Sequence, residues 1–62
     1  MSNNSNYKVG DEVIIIASEN KEELGIHGTV TQANALSCNV RHTLPNGRSV
    51  IYCIPNERIN KV

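Results

Sequence analysis

Four side chains in this chain have the chemistry of nucleophiles, redox centres or metal ligands: Cys38, Cys53, His27 and His42. Three of them fall in one stretch, CNVRHTLPNGRSVIYC, at residues 38–53. A catalytic thiol needs a base within hydrogen-bond reach. A disulfide needs its two Cβ atoms within about 4.5 Å, and a zinc site needs its ligands converging on one ion. The stretch contains neither a C-x-x-C nor an H-x-x-x-H spacing, so everything depends on how the backbone places these groups.

Leu44-Pro45-Asn46-Gly47 sets that placement. Pro45 has its φ preset for the second position of a type I turn, Asn46 suits the next, and Gly47 accepts the left-handed conformation that closes a three-residue hairpin loop. Leu44 then faces Arg48, and the pairing runs back two residues at a time. Cys38, Val40 and His42 share one face with Val50, Tyr52 and Ile54, which reads as the interior, with His42 and Tyr52 towards its rim. Asn39, Arg41 and Thr43 share the other face with Ser49, Ile51 and Cys53, which reads as the solvent side. The thiols therefore point to opposite faces and cannot bridge. Cys38 and His42 lie four residues apart on one strand, roughly 13 Å, too far to share a zinc ion. His42 is on the wrong face to activate Cys53, and His27 belongs to another strand. Cys38 reads as a small buried hydrophobe and Cys53 as a half-exposed thiol. No catalytic residue, metal site or cofactor is expected.

The elements around the hairpin follow from β-branched runs and turn residues. VGD at 9–11 is a turn, and Val13–Ala17 forms a first strand. ENKEELG at 19–25 is a charged surface loop, long enough for one helical turn. IHGTVTQA at 26–33 is a second strand, in which Gly28 marks a bulge or a close backbone approach. LSCNVRHT at 36–43 and RSVIYCI at 48–54 are the third and fourth strands. Pro55 ends the fourth and opens a single 3₁₀ turn, and RINKV is a short fifth. Residues 1–6 read as a disordered tail and residues 7–62 as one domain. The expected fold class is all-β: five strands with a 3₁₀ turn before the last, closing on itself to remove exposed edges.

In that order, with a long loop after the first strand, the chain resembles the SH3-like small barrels, and among them the KOW type. The residues that carry the likeness are VGDEVIII (9–16) and LGIHGTV (24–30): a glycine and an acidic residue, an apolar strand, a loop, then G-x-x-G-x-V. The resemblance implies a five-stranded barrel and, for the KOW type, RNA binding. Loops of that type carry Lys and Arg among their glycines, whereas SENKEELG here is net acidic. Gly25-Ile26-His27-Gly28 also fits the G-x-x-G pattern of KH domains, but without flanking helices it reads as two glycines bending a strand.

Composition narrows the function classes. The chain has 62 residues, 6 basic and 6 acidic side chains, and no net charge. A domain this small leaves little room for both a scaffold and a deep substrate pocket. A dedicated phosphate binder normally carries a basic excess. With no Trp, no Phe and 2 Tyr, base-stacking surfaces are scarce. Two cysteines and an N-terminal stretch without an apolar core suggest a reducing compartment, and nothing is apolar enough to span a membrane. The expected setting is the cytoplasm. The expected function is a non-catalytic module, an accessory subunit or regulator, docking on a protein or ribonucleoprotein as a monomer or weak homodimer. The alternative is a KOW-type RNA-binding module using Arg41, Arg48, Arg58 and Lys61. Contact residues are sought in the acidic loop (Glu22, Glu23), at His27, among the basic residues Arg41, Arg48 and Arg58, and at Ile51 and Tyr52 beside them.

Overall fold

The computed structural model of the chain describes residues 7–62, and the expected tail at 1–6 lies outside them. Five strands follow in order: β1 (Glu12–Ile15), β2 (His27–Ala33), β3 (Ser37–Thr43), β4 (Ser49–Pro55) and β5 (Ile59–Lys61). Two one-turn 3₁₀ helices interrupt them, η1 (Lys21–Glu23) and η2 (Asn56–Arg58), the second directly before the last strand. All pairings are antiparallel, and the sheet order is β4-β3-β2-β1-β5. Among the described residues, no helix is long and apolar enough to cross a membrane.

The β3–β4 hairpin has the register read from its turn. Cys38 opposes Ile54, Val40 opposes Tyr52 and His42 opposes Val50. The Leu44 N–H donates to the Arg48 carbonyl at 2.6 Å, and the Gly47 N–H donates back to the Leu44 carbonyl at 2.9 Å. Gly47 sits at φ +89°, the left-handed region a side chain would strain. Asn46 completes the turn by accepting the Arg48 N–H on Oδ1 at 2.9 Å.

In β2 the two options offered for Gly28 separate. Gly28 is the close approach: a Cβ there would lie 2.7 Å from the Arg41 carbonyl oxygen and closer still to Val40 Cγ1. The bulge comes later, where the β2–β3 register shifts between Val30 and Gln32, leaving Thr31 unpaired. The expected first strand is trimmed at its end. It runs Glu12–Ile15 and not to Ala17, because the Ile16 and Ala17 N–H groups both turn to the Arg58 carbonyl, at 2.8 and 3.3 Å.

Alternating positions of the five strands supply a single core of Val13, Ile15, Val30, Cys38, Val40, Ile54 and Ile59. Tyr7, Ile26, Ala33 and Tyr52 pack against its margin. Closure by a continuous hydrogen-bonded barrel is not what the chain forms. Among the described residues the sheet is open, with β4 and β5 as its two edges; β5 is three residues long and pairs with β1. The η2 crossover is tied to the β2–β3 turn. There Asn56 donates its N–H to the Leu36 carbonyl at 2.9 Å and its amide to the Asn34 and Ala35 carbonyls. Its Oδ1 accepts the Cys38 thiol at 3.0 Å.

Candidate docking face

The antiparallel registers also build the opposite, outward face. Glu12 of β1 opposes Thr29 of β2, which opposes Arg41 of β3, which opposes Ile51 of β4. These four form one row across the sheet. A second row, towards the loop end, carries Ile14 opposite His27 and Thr43 opposite Ser49. A shallow, open concavity of about 300 Å³ beside these rows is lined by Glu12, His27, Gly28, Thr29, Arg41, His42 and Thr43, drawing groups from both faces.

Each lining group is held in a definite way. Thr29 Oγ1 donates to Glu12 Oε2, fixing that carboxylate along the row. The His42 ring belongs to the inner face and reaches the His27 carbonyl through Nδ1 at 2.8 Å. A carbonyl only accepts, so Nδ1 carries the proton in this contact. Among the described residues Arg41, Arg48 and Arg58 form no ion pair; the pair present is Lys61 with Asp11, at 3.5 Å. Ile51 beside Arg41 is 55 % exposed, an apolar side chain set in a polar face.

The structure thus brings together three of the residues singled out by sequence: His27, Arg41 and Ile51. It separates the others. Tyr52 is half-buried on the opposite face, against the core. Arg48 lies in the hairpin loop, and Arg58 in η2 hands its carbonyl to the end of β1. Glu22 and Glu23 are in η1, and Glu23 is already engaged by the Ser18 hydroxyl at 2.7 Å, so it helps close its own loop. Lys61 stays out of any patch with Arg41, because it holds Asp11 and lies 5.9 Å above the Tyr7 ring. The basic set is distributed over the molecule.

Cys38 is buried and Cys53 exposed, both free. Burial pushes the Cys38 thiol above its ordinary value, the direction opposite to that of an activated nucleophile. Among the described residues no three His, Cys, Asp or Glu side chains converge as metal ligands.

Three residues that tie the fold together were not singled out by the sequence reading. Tyr7 donates its hydroxyl to the Ile59 carbonyl at 3.0 Å, tying the start of the domain to β5. Asp11 accepts the Lys8 N–H at 2.9 Å and pairs with Lys61. Asn56 joins η2 to the β2–β3 turn. Asp11 was legible as part of a V-G-D turn; Asn56 had no local signal, since its partners are 18 or more residues away. No protein-family model, curated protein or solved structure matches the chain.

Proposed function

We propose that this chain is a non-catalytic interaction module of the SH3-like small-barrel kind, docking on a protein or ribonucleoprotein partner through the outward face of β2, β3 and β4. The observation that carries this reading is the pairing of Arg41 with Ile51 at the centre of that face. An unpaired guanidinium beside an exposed aliphatic side chain, next to a shallow polar concavity, has the make-up of an interface anchor. The strand order, with a long loop after β1 and a 3₁₀ turn before β5, supports the small-barrel kinship. The β1–β2 loop, with Glu22 exposed on η1, lies at the same end of the sheet as the hairpin loop and offers a second contact of acidic character.

The test is capture from a lysate of the native host on immobilised protein, comparing wild type with the double variant Arg41→Glu, Ile51→Glu. The same partner should be retained by wild type and by a Glu57→Gln control, and lost from the double variant while its circular dichroism is unchanged. Losing one such anchor costs at least about 1 kcal/mol. Equal capture by the wild type and the double variant would refute the assignment.

KOW-type RNA binding is the second reading, supported by the three guanidiniums that make no ion pair among the described residues. It calls for affinity that falls steeply with salt, with a slope reduced by roughly 0.7 to 0.9 for each phosphate contact removed at Arg41, Arg48 or Arg58. The separation of these residues and the acidic loop place it behind the protein-docking reading.

A further inference from the structure

β4 is a seven-residue edge strand, Ser49–Pro55, whose outer edge is paired with no other strand among the described residues. Natural edges are usually guarded by charge, proline, bulges or brevity. Between Ser49 and Ile54 this one has no charged residue and no proline, and its pairing with β3 is continuous with no bulge. The hairpin bond from Leu44 to Arg48 fixes which backbone groups point inward. Hydrogen-bonded pairs alternate along an antiparallel ladder, so Val50, Tyr52 and Ile54 bond to β3. Ser49, Ile51 and Cys53 therefore aim their N–H and C=O groups outward, away from the sheet.

We propose that two copies of this chain pair antiparallel through β4, about a two-fold axis at Ile51, to give a continuous ten-stranded sheet. The register follows from the free groups. With Ile51 opposite Ile51, Ser49 opposes Cys53 of the second copy at both ends, and all three outward-facing residues of each strand are bonded. A two-fold at Cys53 would set Pro55, which lacks an N–H, opposite Ile51. A two-fold at Ser49 would run into the Gly47 turn. A two-fold at Val50 or Tyr52 uses fewer of the free groups.

The side chains fit this register as well. On the outward face Ile51 meets its counterpart. On the inner face Val50 lies opposite Tyr52 of the second copy, an aliphatic–aromatic cross-strand pair. No charge opposes a like charge, and the net charge of zero adds no long-range repulsion. Strand pairing of this length buries less than a standard interface, so the dimer dissociates between micromolar and millimolar. It goes beyond the docking reading, and would present two copies of the Arg41 face side by side.

The test uses the full chain. Sedimentation equilibrium should show the average mass rising with concentration from the 6.8 kDa monomer towards twice that value. Ile51→Pro removes an N–H that the fold does not use and should abolish the rise with circular dichroism unchanged; Ile51→Lys is the second variant should the proline disturb folding. Ser49→Cys places two thiols opposite each other across the two-fold and should give a covalent dimer on mild oxidation. Wild type should not, since its Cys53 thiols are offset by roughly 13 Å along the strands. A monomer at every concentration, or a dimer indifferent to both Ile51 variants, would overturn the proposal. Rapid oxidative crosslinking of wild type would overturn its register.

Discussion

Two glycines separate space from conformation as reasons for having no side chain. Gly28 has ordinary backbone angles, but a Cβ would enter the Arg41 carbonyl and Val40. Gly47 has open space around it and a φ of +89°. Gly28→Ala should therefore cost about 1–3 kcal/mol or more, because backbone must shift to admit the methyl group. Gly47→Ala should cost about 1–2 kcal/mol from the left-handed conformation alone. Urea titrations of both variants measure the order; a milder Gly28→Ala would mean that β2 and β3 are not so closely apposed. Asp11 supplies a pH prediction. The Lys8 N–H, and after it the Lys61 ammonium, hold its carboxyl below the ordinary 3.8. A depressed folded value means the contribution is present above that pH and lost as pH falls through the folded value. Asp11→Asn should flatten the acid limb of the stability curve there. An unchanged acid limb would deny the pairing any part in folding.

At the scale of elements, η2 depends on one side chain. Asn56 accepts the Cys38 thiol and donates to the carbonyls of Asn34 and Ala35. Asn56→Ala leaves these groups without that partner and should destabilise the domain by about 1–3 kcal/mol in thermal or urea melts. Exposed Asn34→Ala, which leaves its backbone carbonyl in place, should cost much less. Equal losses would remove Asn56 from its role as the tie between the β2–β3 turn and η2. This contrast explains what was legible in the sequence. The hairpin could be read to the residue because Pro45, Asn46 and Gly47 specify a turn locally, and a turn sets register for both strands. β1 was recognised from its β-branched run but overextended to Ala17, because its end is set by the carbonyl of Arg58, 42 and 41 positions further along the chain. Closure of the sheet was expected from the cost of open edges, yet β5 pairs with β1 and, among the described residues, not with β4. Of the site, Arg41 and Ile51 were placed on one face by the hairpin register and alternation along each strand. Their neighbours Glu12 and Thr29 required the β1–β2 and β2–β3 registers, which no turn motif specifies.

At the scale of the molecule, a single open sheet divides the chain into an inner face that carries the core and an outward face on which docking is proposed. Such a small core leaves no second place to bury apolar groups, so exposed Ile51 gains from a partner. The two thiols report on the two faces independently, since Cys38 is buried with its thiol pushed upward by desolvation while Cys53 stands on the outward side. Time-resolved labelling of native protein with a thiol-specific reagent, read by intact mass, is the most direct measurement of this division. One label should enter quickly at Cys53, and the second should appear only at the rate at which the domain opens, becoming fast in denaturant. Equal labelling of both thiols in native conditions, or a disulfide that blocks both, would contradict the assignment of the faces and everything built on it.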